Sequence, residues 1–286
     1  MPSRPSTLTP VSDPLAAIAD WPVDHAAAAV VASDGTAVAT HGPGDRRFPL
    51  ASVTKPLVAY AALLAIEEEA VTLDQAAGPE GATVRHLLAH TSGLAFGEHR
   101  VVAEPGARRL YSSAGFEVLA DTIAEATGIA FPDYLHEAVL APLGMAATSL
   151  DGSAGHAATS TVDDLTAFAA ELQAPTLLDP STLAEATTVQ FPGLNGTIPG
   201  FGHQKPNDWG LGLELRGHKS PHWTGTQSSP ATFGHFGQSG TFLWVDPDAG
   251  VAAVVLTDRD FGDWAKEAWP ALTDDVLRTC ARNSGS

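Results

Sequence analysis

Ser52-Val53-Thr54-Lys55 places a hydroxyl and an amine three residues apart at the head of residues 52–69, an apolar, Ala- and Leu-rich stretch that reads as a helix. Positions i and i+3 share a helical face, so the amine reaches the hydroxyl. A serine hydroxyl is a weak nucleophile until a base takes its proton, and a lysine withdrawn from water loses enough basicity to serve. Unpaired backbone N–H groups at a helix start also favour developing negative charge. Pro56 falls in the first turn, where its missing N–H is tolerated. Of the four lysines, Lys55, Lys205, Lys219 and Lys266, only Lys55 follows a serine at this spacing. An apolar neighbourhood runs against the preference of lysine for solvent. The plainer reading of the same residues is a serine N-cap followed by a common cation.

Tyr111-Ser112-Ser113 follows the turn Glu104-Pro105-Gly106 and opens a helix over 113–127. A tyrosine there can act as acid or base if nearby cations lower its pKa from about 10. The structural alternative makes Ser113 an N-cap and Tyr111 a packing residue. Gly234-His235-Phe236-Gly237-Gln238-Ser239-Gly240 leads into a strand, and its glycines let another chain or a substrate approach closely. Its structural alternative is a Gly-rich turn carrying an exposed histidine.

Ser-x-x-Lys, then Tyr-x-Ser, then His-x-Gly before a strand, in this order, resembles the penicillin-recognising serine hydrolases. Within them the sequence is most similar to the branch of class C β-lactamases, D-Ala-D-Ala carboxypeptidases and β-lactamase-like esterases. His86-Leu87-Leu88-Ala89-His90-Thr91-Ser92-Gly93-Leu94, Pro142-Leu143-Gly144-Met145 and the strand pair around an Asp-Pro turn after His235 add to the likeness, which spans residues 15–280. The resemblance implies that Ser52 forms an acyl-enzyme and that Lys55 and Tyr111 shuttle its proton, Tyr111 as a phenolate-like base or as the acid for the leaving group. It implies an oxyanion hole from the backbone N–H groups of Ser52 and Gln238. It puts His235, Phe236 and Gly237 along a substrate strand, with Ser113 where many members carry Asn. No cofactor or metal is implied.

The third motif departs from the pattern: His235 stands where class C β-lactamases have Lys, and Phe236 where Thr or Ser is usual. A neutral imidazole and a phenyl ring supply neither the charge nor the hydroxyl that would hold a carboxylate. Ser113 also lacks the amide of Asn. These changes favour a small ester or amide over a β-lactam or cell-wall peptide, with β-lactamase, D-alanyl-D-alanine carboxypeptidase or D-aminopeptidase activity as the nearest alternatives. A reading of another class is a catalytically silent small-ligand-binding protein of this fold.

Competing sites are weaker. His86 and His90 have the spacing of a zinc helix, yet Leu87 occupies the place of the required Glu, and His218 and His222 have no third ligand in sequence. No G-x-S-x-G elbow is present. Trp209, Trp223, Phe233 and Phe236 are candidates to wall an apolar acyl pocket, or to pack in the core.

The frame that must position these residues is α+β. Residues 26–33, the Asp34-Gly35 turn and 36–40 read as a hairpin, and 209–215, 240–246 and 251–257 as strands, the last two joined by a turn over 246–250. Helical patterns fall at 83–90, 113–127, 132–140, 161–173, 180–187 and 262–282. Strands at both ends with helices between predict one antiparallel sheet built from the two termini around a mainly helical insertion. The organisation expected is one β-lactamase/transpeptidase-like domain over 1–286, with a sheet part near 15–60 and 200–282 and a helical part near 61–199. The 193–233 loop, with Pro192, Gly193, Pro199 and Gly200, leaves open a lid over the site.

The 286 residues carry a formal net charge of −18, which argues against nucleic acid and anionic membrane as partners and for a small-molecule substrate. Cys280 is the single cysteine, so no intramolecular disulfide or multi-cysteine metal site can form. Acidic residues and prolines break the first thirty residues, and no run of 18 apolar residues follows, so the expected location is cytoplasmic.

Overall fold

The structure, a computed structural model, describes residues 13–283. The leader-peptide reading rests in part on residues 1–12, which lie outside the described residues. Strands β1 (Ala26–Ala32) and β2 (Ala37–His41) form the expected hairpin. Two short strands, β3 (Phe48–Pro49) and β4 (Ser149–Leu150), flank β5 (Ala158–Ser160) in a small sheet. Next in the chain come a hairpin of β6 (Gly196–Ile198) and β7 (Gly202–Gln204), and then β8 (Glu214–Leu215), β9 (Phe233–Gly237), β10 (Thr241–Asp246) and β11 (Val251–Thr257). The main sheet runs β2-β1-β11-β10-β9-β8, antiparallel throughout, with Ala26 opposite Thr257 and Ala32 opposite Val251. Both ends of the chain therefore meet at its centre.

Strand side chains alternate in direction, and here both faces are covered. Ala27, Ala29, Val31, Leu243, Val254 and Leu256 join the core shared with the helices of the insertion. Ala28, Val30, Phe242, Trp244, Ala253 and Val255 pack instead on Leu15, Ile18 and the C-terminal helix. This two-sided burial is why β11 reads as the continuous apolar run VAAVVLT.

The helices are α1 (Thr54–Glu67), α2 (Val84–Leu88), α3 (Ser113–Thr127), α4 (Phe131–Leu135), α5 (Val162–Gln173), α6 (Pro180–Ala186) and α7 (Asp263–Asn283). Residues 54–65 of α1 are all buried, consistent with a sequence apolar all round, and α1 runs through the larger core. None of the helices among the described residues is long and apolar enough to cross a membrane.

Three expected elements change form. The helix over 132–140 becomes α4 followed by a π-helical turn, His136–Leu140. The helix expected from residue 52 begins at Thr54, after a 3-10 turn over Ala51–Val53. Of the strand over 209–215 only Glu214–Leu215 is regular. Gly212 has φ +81° and lies against Ala59 of α1, while Gly210 lies against the carbonyl of Ala186 at the end of α6. Those approaches leave no room for Cβ atoms and bend the chain out of a ladder.

Candidate active site

Ser52 occupies the 3-10 turn before α1, directly after Ala51, whose φ of +45° is left-handed for a residue with a Cβ. The β9–β10 turn fastens the segment leading into it. Ser239 Oγ donates to Pro49 O at 2.7 Å and Thr241 Oγ1 to Leu50 O at 2.9 Å. Gly237 lies against Leu50 and Ala51, so the space its missing side chain leaves is filled by protein. The third motif is thus itself a strand ending in a tight turn, and its end is joined to the turn that carries Ser52.

Tyr111 Oη donates to Ser52 Oγ at 2.7 Å, and Lys55 Nζ lies 3.4 Å from the same oxygen. Lys55 is fully buried and also donates to Ser113 Oγ at 3.1 Å and to Gly155 O at 2.7 Å. Burial brings the Lys55 ammonium down to about 7, with Glu117 opposing the shift. The Gly155 peptide is held in turn: its N–H donates to Ser153 Oγ at 3.1 Å, and Ser153 Oγ donates to Glu117 Oε1 at 2.5 Å. Gly155 packs on Ser113 so closely that a side chain there would collide with it.

The N-cap of α3 is Ser112, which accepts from Gly115 N at 2.9 Å, and not Ser113. Ser113 is therefore available to Lys55. Burial raises the Tyr111 phenol well above its ordinary value, against a smaller lowering from Ser52. The raised phenol holds its proton in the free site.

His90 fixes Tyr111 from both sides. Its carbonyl accepts from Leu110 N at 2.8 Å, its Nδ1 accepts from Ser112 N at 3.1 Å, and its ring lies 4.6 Å from the Tyr111 ring. His86 bonds Thr83 Oγ1 at 2.9 Å instead, so the two histidines do not converge. Among the described residues no group of three or more His, Cys, Asp or Glu could hold a metal ion.

Ser52, Tyr111, His235, Phe236 and Gln238 line one cleft of about 500 Å³ of empty space, to which Phe96, Thr197, Ile198, Pro199, Trp209 and Glu214 also contribute. Lys55, Ser113 and Gly237 stand behind this wall and do not line it. Trp209 and Phe236 do wall the cleft, whereas Trp223 and Phe233 pack in the core. His235 is buried, not exposed.

The profile of the Beta-lactamase family matches residues 22–278. The chain belongs to the Beta-lactamase family. It is 58% identical to a solved β-lactamase from Mycobacterium bovis, with a TM-score of 0.92 over 93% of this chain and 99% of that one. EstCE1, a hydrolase with promiscuous acyltransferase activity, superposes with a TM-score of 0.76 at 18% identity, covering 91% of this chain and 95% of its own. That likeness is one of fold. Penicillin-binding protein 4* of Bacillus subtilis (strain 168) is 27% identical over 131 residues, which take in 34% of this chain and 29% of that protein.

In this Beta-lactamase family member the cleft carries, among the described residues, one formally charged side chain, Glu214, set in a buried polar network that sequence reasoning missed. Its Oε1 accepts from Lys219 Nζ at 2.9 Å and lies 3.1 Å from His222 Nε2, and its Oε2 accepts from Trp223 Nε1 at 2.8 Å. Burial alone would push the carboxyl up, but Lys219 and His222 outweigh it and hold Glu214 well below the carboxylate range. A charged residue inside the apolar alternation of WGLGLEL was the available signal. Glu214→Gln leaves the Lys219 ammonium buried without its counter-charge, so a loss of about 3–5 kcal/mol in stability is expected in urea unfolding. A change below about 1 kcal/mol would show that water reaches the pair.

Arg109, also buried, donates to four backbone carbonyls: Ala89, Gln190, Phe191 and Asn207. It ties the chain leading to Tyr111 to the segment that carries the β6–β7 hairpin, whose residues Thr197 and Ile198 line the cleft. The sequence gives no sign of this, because backbone carbonyls are present at every position.

Proposed function

We propose that this Beta-lactamase family hydrolase cleaves small uncharged esters or amides through an acyl-enzyme on Ser52, with an esterase-type activity. The observation that carries this reading is the position of Ser52 Oγ, 2.7 Å from a phenol that keeps its proton and 3.4 Å from an amine that gives its proton up near neutral pH. A neutral amine has two N–H groups and one lone pair. Gly155 O and Ser113 Oγ take the two N–H groups, which leaves the lone pair for the Ser52 proton.

In acylation Lys55 removes that proton while Ser52 Oγ bonds to the substrate carbonyl carbon. The backbone N–H groups of Ser52 and Gln238 receive the negative charge on the carbonyl oxygen. Tyr111 then gives its proton to the departing alcohol or amine, leaving a phenolate beside the Lys55 ammonium, whose Nζ is 4.5 Å from the tyrosine ring centre. In deacylation the phenolate takes a proton from water, the hydroxide attacks the acyl carbon, and Ser52 Oγ departs with the proton held by Lys55. Every group returns to its starting state. Tyr111 thus serves as acid first and phenolate base second. His235 and Phe236 border the substrate, and Gly237 and Ser113 act behind them.

The test is intact-protein mass after exposure to a fluorophosphonate, followed as a rate across pH 5–9. One adduct is expected on the parent and none on Ser52→Ala. Because burial lowers Lys55, its ammonium form predominates below about 7 and cannot accept a proton, so the labelling rate rises through about pH 7 and then levels. No adduct on the parent would leave the binding-protein reading in its place, and a flat profile would remove Lys55 as the base.

A further inference from the structure

Two polar atoms in the cleft wall have no hydrogen-bond partner although both are buried: His235 Nε2 and Trp209 Nε1. Their rings are 5.4 Å apart between centres, and Tyr111 lies 5.6 Å from the one and 5.8 Å from the other. An unpaired buried polar group is costly. Ten buried side-chain atoms among the described residues are unpaired, and of these only His235 Nε2 and Trp209 Nε1 belong to residues that line the cleft, where a bound substrate can supply the missing partner.

Their chemistry is complementary. His235 Nδ1 lies 2.7 Å from Phe236 O, and a carbonyl oxygen only accepts, so Nδ1 carries the proton and Nε2 presents a lone pair. Burial and the neighbouring Lys55 keep the imidazole neutral, its value falling to about 3. Trp209 Nε1 is a donor only. The wall therefore offers one acceptor beside one donor.

We infer that the substrate acylating Ser52 carries an uncharged hydroxyl or carboxamide close to its reacting carbonyl, received by His235 Nε2 and Trp209 Nε1 together. Such a group both donates and accepts. A carboxylate accepts only, so it would meet Trp209 but face the His235 lone pair, and among the described residues lining the cleft there is no cation to hold it, Glu214 being already paired with Lys219. An ammonium donates only, so it would satisfy His235 and meet the Trp209 N–H. A plain alkyl chain would leave both atoms unpaired. This inference rests on the acyl-Ser52 reading and narrows its substrate class.

The experiment compares kcat/KM for p-nitrophenyl butyrate, p-nitrophenyl 3-hydroxybutyrate and mono-p-nitrophenyl succinate on the parent, His235→Phe and Trp209→Phe, with acyl-Ser52 followed by mass. The parent is expected to favour the hydroxy ester over butyrate by about 10-fold or more, and to take the succinate at a tenth of the butyrate rate or less. In each variant the hydroxy-to-butyrate ratio is expected to fall towards one, and the ratio is the readout whatever happens to absolute rates. Equal rates for the three esters on the parent, or a parent preference unchanged in both variants, would overturn the inference while leaving acyl-Ser52 intact. No acyl-enzyme with any ester would sink the underlying reading instead. Should a variant fail to fold, the parent's order of the three esters decides alone.

Discussion

Ser52→Ala is expected to bring ester turnover below about a thousandth of the parent rate while the fold survives. The hydroxyl is the acceptor for Tyr111 and lies beside Lys55, and in the proposed mechanism the variant loses the atom that bonds the substrate carbon. Little else depends on it. Lys55 keeps Gly155 O and Ser113 Oγ, and the turn keeps its fastening through Ser239 and Thr241. The thermal midpoint is therefore expected to move by no more than about 1 kcal/mol of stability allows. Turnover above a thousandth in a folded variant would show that hydrolysis proceeds without an acyl-serine.

The second large effect concerns the phenol. Tyr111→Phe keeps the ring between His90 and Phe96 but removes the proton that the leaving group needs, and a loss of about 10²–10⁴ in kcat is expected. Leaving-group dependence gives the readout that packing would not move. A good leaving group such as p-nitrophenolate needs no proton, so acylation by p-nitrophenyl esters should suffer less than acylation by alkyl esters of the same acid. Equal losses across both kinds of ester would make Tyr111 a positioning residue, and an unchanged rate would remove it from the reaction.

How much of this was legible in the sequence depends on how local each feature is. Ser52 and Lys55 lie three residues apart on continuous chain, so their meeting follows from helical spacing even though a 3-10 turn opens the helix. β1 and β11 could be read because runs of small and β-branched residues specify strands, and the sheet's central pairing followed from their places near the two ends. Tyr111 and His235 are far from Ser52 in sequence, and only the order of motifs brought them to attention. Gly155, Arg109 and His90 act through backbone carbonyls, peptide N–H groups and ring stacking, which leave little trace in residue type. Ser113 opens α3, but the capping role offered as its structural alternative falls to Ser112, since either serine suits an N-cap and only the tertiary contact with Lys55 tells them apart.

The pairing of β1 with β11 also sets the order in which the molecule can be built. During synthesis β1 emerges early, yet Ala26 must wait for Thr257 before its ladder can close. The sheet has high contact order, and its closure entropy falls due before its contacts repay it. The helices between have mostly local hydrogen bonds and can form around α1 while the chain is still growing. Until then β1 presents the apolar run AAAAVVA without its central neighbour, an open edge inviting another chain. The interval between translation of β2 and of β11 is thus the span in which a nascent chain of this topology is most exposed to aggregation and most in need of a chaperone.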